Sequence, residues 1–252
     1  MHDPAGVIPV LKRKLHERAV RANRRAHTPL ELLTALFRNL RERSARELPA
    51  LAGKLPESLY LTVPALYGPS EEKLMRQAAK AVGFADEGVA LIPEPVAAAR
   101  AWLAETAGSA GSVVVLDCGG GTIDWAWLRR DGESFALATE CPPGGDRNVG
   151  GHDVDLELLQ LLLEQLNDTD AEQVESQRLH YLHELRALKE RYSRGLPLTP
   201  IQVGGAGIEL AEDLVQDALT QHFVHHAVEG LRSYLDQVRE QTKGGLMKIS
   251  QK

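Results

Sequence analysis

The residue types best suited to chemistry lie in one short stretch, Asp117-Cys118-Gly119-Gly120-Gly121-Thr122-Ile123-Asp124. Three successive glycines let backbone N–H groups approach a ligand with no Cβ in the way. Successive N–H groups in such a turn form a concavity suited to an anion such as phosphate. A carboxylate stands at each end, and a hydroxyl follows the last glycine. Carboxylates do not bind phosphate directly, so they imply a bridging divalent cation, most simply Mg²⁺. The chemistry suggested is a nucleotide phosphate held on a hairpin, with metal and water handled by Asp117, Thr122 and Asp124. Ordinary turn chemistry is the other reading, because glycine pairs between strands are common hairpin connections. No Lys-Ser or Lys-Thr follows the glycines, so this is not a Walker A loop. A strand rather than a helix follows, so it is not a Rossmann fingerprint either.

The elements around this turn must hold it. Ser112-Val113-Val114-Val115-Leu116 precedes it and Trp125-Ala126-Trp127-Leu128 follows, which reads as strand, turn, strand. Upstream, Pro9 to Ala26 has helical composition with weak amphipathicity. Thr28-Pro29-Leu30-Glu31 reads as a helix start, with Thr28 as N-cap, Pro29 first and Glu31 closing a capping box. Leu32, Leu33, Leu36, Phe37 and Leu40 then form one apolar stripe. Leu59 to Val63 reads as a strand, and Ser70 as the cap of a helix through Val82 that ends at Gly83. Val89 to Ile92 reads as a further strand, followed by an alanine-rich helix from Val96 to Ala104 and a Gly/Ser hinge from Thr106 to Ser112. Downstream, a strand is predicted over Ser134–Cys141 and a loop over Pro142–Gly151. Helices follow over Asp153–Leu166 and, as one or two pieces, Thr169–Tyr192. A short strand is predicted at Ile201–Val203, helix over Leu210–Gln241, and a polar tail from Thr242. The alternation of strands and helices places the chain in the α/β class.

Composition narrows the function. The 252 residues are 43% hydrophobic and 25% charged, ordinary for a globular chain of one large or two modest domains. The net charge of −6 does not indicate a nucleic-acid partner. Lys12, Arg13, Lys14, Arg18, Arg21, Arg24 and Arg25 make the start basic, and the reading favoured is a solvated helix face. Two cysteines, Cys118 and Cys141, do not make a disulfide framework, so a reducing, cytoplasmic setting is expected. No signal peptide or membrane-spanning run is visible in the sequence.

Several motifs now stand in a fixed order. They are Leu61-Thr62-Val63-Pro64-Ala65, the helix ending at Gly83, Ile92-Pro93-Glu94-Pro95-Val96-Ala97-Ala98-Ala99, the glycine hairpin, and Val149-Gly150-Gly151-His152-Asp153-Val154-Asp155. This order resembles the nucleotide-binding domain of the heat-shock-protein-70 (DnaK-type) chaperones, in the actin-like ATPase superfamily, from about Thr28 to about Val238. The resemblance implies a partial actin-like (ribonuclease H-like) α/β fold: a lobe-one remnant over 1–108 and most of lobe two over 109–252. It implies ATP or ADP with Mg²⁺ as ligands. By position, Asp117 is similar to the carboxylate that holds Mg²⁺ through water. Gly119, Gly120 and Gly121 look like the phosphate-contacting turn, Thr122 resembles the hydroxyl near the γ-phosphate, and Asp124 resembles a residue that orients the attacking water. Glu94 is similar to a carboxylate near metal and water, Gly150 and Gly151 match a second glycine loop, and Lys189 and Ser193 match positions that contact adenosine. From the residues alone, Glu94 reads equally well as a helix N-terminal acid, and Lys189 and Ser193 as a solvated helix face.

The departures set the functional expectation. The family's first phosphate hairpin has no counterpart before Thr28, no residue is matched to the family's lysine near the γ-phosphate, and no second adenosine loop follows Val238. His152 stands for a glutamate, Arg186 for an acidic residue, Glu190 for a basic one and Pro93 for an asparagine. The expectation is a chaperone-type ATPase domain with weak or absent hydrolysis. The alternatives are a non-catalytic interaction module and another actin-like ATPase. Expected partners are nucleotide and, in a larger assembly, unfolded clients or co-chaperones. Self-association is expected through sheet edges left unpaired.

Overall fold

A computed structural model describes residues 8, 10–22, 24–105 and 110–242. Two compact units result, each built from separated segments. One combines 118–123 with 145–235; the other combines 8–117 with 124–144 and the end of the last helix from 236. This division cuts the chain elsewhere than at the expected 108/109 boundary.

The strand-rich unit starts differently from the helix expected over 9–26, although Pro9 itself lies outside the described residues. A 3-10 turn at Leu11–Lys14 is followed by an antiparallel hairpin of β1 (Val20–Ala22) and β2 (Arg25–His27). Val20 and Ala22 alternate inward with Arg21 outward, a period of two that a run of charges concealed. Arg24 turns the chain at φ +59°. Next comes α1 (Pro29–Glu47), with the capping box as predicted: Glu31 N donates to Thr28 Oγ1 at 3.2 Å and Thr28 N donates to Glu31 Oε2 at 2.7 Å. Its apolar stripe is narrower than expected. Leu33 and Phe37 are buried, while Leu36 and Leu40 stay exposed.

β3 (Leu59–Val63) and β4 (Val89–Pro93) pair in parallel, Leu59 opposite Val89 and Val63 opposite Pro93, with α2 (Pro69–Ala81) as the crossover. The cap of α2 is Gly68, not Ser70. Pro69 takes the first helical position, and Gly68 N donates to the Glu71 carboxylate at 3.1 Å. Gly83 ends the segment at φ +89°. Leu33, Phe37, Val63, Met75, Ala78, Phe84 and Val89 form the core here. With no intervening loop, β4 passes into α3 (Glu94–Glu105).

The hairpin strands are β5 (Ser112–Cys118) and β6 (Ile123–Asp131), and β7 (Ser134–Leu137) pairs antiparallel to β6. The sheet order is β5-β6-β7, and the short β8 (Gly144–Asp146) also pairs with β6, inside the segment expected as loop. The strand expected to reach Cys141 therefore stops at Leu137. Six successive residues of β6, Ile123 to Leu128, are buried, the mark of a strand covered on both faces. Helix α3 packs on this sheet through Val96 and Ala99 against Ala126, Leu128 and Phe135. The hinge expected at 106–112 falls partly outside the described residues, and the tail from 243 wholly so.

The helical unit contains α4 (Gly151–Leu163), α5 (Asp168–Ser176), α6 (Arg178–Ser193), the hairpin β9 (Ile201–Val203)–β10 (Ala206–Ile208), and α7 (Glu212–Leu219). Gly204 and Gly205, at φ +56° and +86°, make the β9–β10 turn, so the short predicted strand acquires a partner. A π-helical turn at Thr220–Val224 leads into α8 (His225–Thr242). The core joins Val154, Leu158, Leu159 and Leu162 of α4 to Leu185 and Leu188 of α6 and Val215 of α7.

Candidate functional site

In the helical unit, the glycine turn and the second glycine loop are docked together. Gly119 N donates to Thr122 O at 2.9 Å, closing the turn. Gly151 N donates to Gly119 O at 3.0 Å and His152 N to Gly120 O at 2.8 Å. Gly150 N donates to the Asp153 carboxylate at 2.8 Å, and Asp153 N to Gly150 O at 3.0 Å. These bonds use amides at the start of α4 that a helix otherwise leaves unsatisfied. The interface depends on glycine at 150. A Cβ there would lie 2.7 Å from Gly120 O and from the Gly121 carbonyl carbon. Gly119 is also confined, since its Cβ would meet Thr122 O at 3.0 Å. Gly120 differs: it is exposed, and a Cβ there would meet nothing within 4 Å.

Lys189 is held on the same construction. Its ammonium donates to Gly151 O and to Asp155 Oδ1. Asp155 is 1% exposed, and Arg186 Nε donates to its Oδ2 at 3.2 Å. His152 Nδ1 lies 4.0 Å from that oxygen. Helix periodicity explains the meeting. Asp155 belongs to the buried stripe of α4 with Leu158, Leu159 and Leu162, while Arg186 and Lys189 each follow a buried leucine of α6. Ser193 is placed apart from this group: it is exposed, and its hydroxyl donates to Glu190 O at 3.1 Å.

In the strand-rich unit, Glu94 opens α3 and accepts a hydrogen bond from the Lys12 ammonium. Asp117, near the end of β5, is affected by both. Burial first, then the Glu94 charge, raises its carboxyl above the usual range, and Lys12 opposes the rise. Asp124 is buried in β6 at 1% exposure. The sequence reads Lys12 as part of a solvated helix face and matches no lysine to the one the family places near the γ-phosphate. The structure leaves Lys12 exposed, on a single 3-10 turn in place of a helix, and brings its ammonium to Glu94. The Lys12-Arg13 pair after an apolar start was the available signal, but the contact spans 82 residues and no local pattern marks it. Asp155 was missed as a site residue for a similar reason, although an acid on a leucine stripe requires a cationic partner.

Among the described residues, no cluster of three or more His, Cys, Asp or Glu side chains could cage a metal ion. Mg²⁺ at a nucleotide needs no such cage, because it uses one or two carboxylates together with phosphate oxygens and water. Asp117 and Glu94, close enough for one charge to disfavour the other, fit that donor set.

A pH dependence follows from Asp117. Its raised folded value means that the folded chain binds this proton more tightly than the unfolded chain, where the value is about 3.9. The contribution to stability is full below that value and is lost as pH rises through the raised folded value. Asp117→Asn removes the dependence. In urea unfolding without Mg²⁺, its stability relative to wild type should therefore increase as pH rises from about 4. A constant difference across that range would contradict the assignment.

The comparison with known families sets the class. The family model described as Hsp70 protein matches residues 9–241, and the chain belongs to that family, whose nucleotide-binding domain has the actin-like ATPase fold. The relatives it resembles include the chaperone protein HscA homolog of Shewanella woodyi, 31% identical over 82% of this chain and 32% of that protein. The chaperone protein DnaK of Elusimicrobium minutum is 27% identical over 70% of this chain and 28% of its own length. The DnaK of Endomicrobium trichonymphae is 24% identical over 96% of this chain and 39% of its own. The chain thus spans well under half the length of these relatives. No helix among the described residues is long and apolar enough to cross a membrane.

Proposed function

We propose that the chain binds a nucleoside triphosphate through the Gly119–Gly121 turn, with Asp117 and Glu94 holding Mg²⁺ through water. The observation that carries this reading is the contrast among the glycines. Gly119 and Gly150 are required by packing, whereas Gly120 is exposed with open space where a side chain would stand. A glycine with open space at its Cβ leaves the backbone of the turn accessible to a phosphate. When bound, Mg²⁺ neutralises phosphate charge. Lys12 adds a positive charge to the Glu94–Asp117 pair. Thr122 supplies a hydroxyl beside the turn, and Asp124 is the buried carboxylate proposed to orient water. Phosphoryl transfer is mostly positioning and charge neutralisation, and these groups are of the required kinds. ATP hydrolysis coupled to protein folding, with clients and co-chaperones as partners in the cytoplasm, is the activity proposed by membership of the family, with hydrolysis by this chain itself weak or absent.

A second reading, a non-catalytic pseudo-ATPase interaction module that keeps the lobe-two core for packing, is favoured by one observation. Lys12 and Lys189 both already have internal carboxylate partners. Titration calorimetry of the chain with Mg·ATP and Mg·ADP separates the two. Micromolar binding, lost in Gly120→Leu with the unfolding midpoint unchanged, supports the nucleotide site. No heat at millimolar nucleotide supports the interaction module.

A further inference from the structure

The cations of α6 sit close to the glycine loops without pointing to a ligand. Lys189 has 14% of its side chain exposed, and its ammonium already bonds a backbone oxygen and a buried carboxylate. An ammonium has three donors, and two are committed here. The backbone oxygen belongs to Gly151, the residue whose N–H holds Gly119 O. A continuous series of bonds therefore runs from Asp155 to Lys189, to Gly151 and to the glycine turn. Arg186 braces Asp155 from the other oxygen. The packing is tight at the joint, because a Cβ on Gly151 would lie 3.2 Å from Lys189 Nζ.

We infer that Lys189 and Asp155 form a lock that positions the glycine turn, so that Lys189 acts on phosphate binding as a positioning residue. The inference rests on the phosphate reading for its ligand and on the hydrogen bonds alone for the lock. A part-buried ammonium joined to a buried carboxylate and to a backbone carbonyl holds its partners in one geometry, because releasing it takes one of the two cations from a carboxylate that is 1% exposed. Fixing Gly151 O fixes the amide that follows it, His152 N, which holds Gly120 O. Gly120 is the residue with open space beside it. The lock therefore sets the part of the turn that faces a phosphate, and its effect is the same whatever base the phosphate carries.

The test compares two ligands on one chain. Mg·ATP and Mg·tripolyphosphate are titrated into wild type, Lys189→Met, Lys189→Arg and Asp155→Asn, and amide hydrogen exchange is followed at Gly151 and His152. Lys189→Met should weaken both ligands by the same factor, roughly tenfold, equivalent to about 1.4 kcal/mol. It should also speed exchange at both amides, and Lys189→Arg should restore both readouts to within about threefold. Asp155→Asn keeps an acceptor for Lys189 but removes the charge, so it should shift both readouts in the same direction by less. It carries the test if Lys189→Met does not fold. Weakening of Mg·ATP alone, with tripolyphosphate unaffected, would make Lys189 a nucleoside contact and overturn the lock. Unchanged exchange at Gly151 and His152 in Lys189→Met would also overturn it. If wild type binds neither ligand, the phosphate reading fails, and the exchange measurement alone decides the lock.

Discussion

Gly150→Ala is expected to abolish Mg·ATP binding and to lower the stability of the helical unit by about 3 kcal/mol, the upper end for overpacking a close-packed site. The backbone conformation is not the reason, since Gly150 is extended at φ −172° and any residue adopts that geometry. The reason is space. The added methyl carbon would stand 2.7 Å from Gly120 O and 2.8 Å from Gly120 C, atoms of backbone that cannot rotate aside. Either α4 or the turn must withdraw. Withdrawal breaks the bonds from Gly151 N and His152 N to the turn, each worth about 1 kcal/mol net. Urea unfolding followed by helical circular dichroism reads the stability, and calorimetry reads the ligand. Gly120→Ala is the control, with open space at its Cβ. Its stability should stay within about 0.5 kcal/mol of wild type, as expected for a substitution that meets nothing. Equal stability losses in the two variants would show that the loops are not docked as described.

Phe135→Ala should produce the largest loss in the strand-rich unit, about 3–5 kcal/mol. Phe135 is 1% exposed and is the largest fully buried side chain in the cluster where Val96 and Ala99 of α3 meet Ala126 and Leu128 of β6. Its removal costs the transfer energy of the ring plus the contacts its neighbours lose across the cavity. The same cluster seats α3 on the sheet, and α3 begins at Glu94. A functional effect should therefore accompany the stability loss. The Lys12–Glu94 pair and the pH response of Asp117 should both weaken, although Phe135 touches neither. Tyr60→Ala, at a site 74% exposed, is the matching control and should change stability by less than about 0.5 kcal/mol. The midpoints of urea unfolding in the two variants settle the point. A loss below about 1 kcal/mol for Phe135→Ala would mean that the cluster is not a closed core.

What the sequence disclosed was local. The strands over Leu59–Val63 and Val89–Ile92 (one residue short of β4), the capped start of α1 and the hairpin around Gly119–Gly121 are all legible, because each is marked within a few residues by alternation, a cap or a breaker. The β1–β2 hairpin was not, because Arg21, Arg24 and Arg25 hide the inward alternation of Val20 and Ala22. Ser70 has a side chain that suits a cap. In the structure Gly68 occupies the position, since Pro69 fits the first helical residue and fixes the register. The contents of the site divide similarly. Glycines and carboxylates announce their chemistry by type and spacing. The partners of Lys12 and Lys189 do not, because those pairs bring together residues 82 and 34 positions apart. Family resemblance carries Lys189 over as a nucleoside contact, and its bonds to Gly151 O and Asp155 have no local mark in the sequence.

Glu94 stands between Pro93, the last residue of β4, and Pro95, in the first turn of α3. Both prolines fix φ, and the residue before a proline has little freedom of its own. The unfolded chain therefore has fewer backbone states at this acid than at an ordinary residue, with a bias toward extended backbone that the start of α3 must overcome. No loop separates strand from helix to absorb a displacement. Any change in what holds the Glu94 carboxylate must then be taken up by its side-chain torsions or by α3 moving as a body. In mechanical terms, the acid is the short arm of a lever whose long arm is the helix.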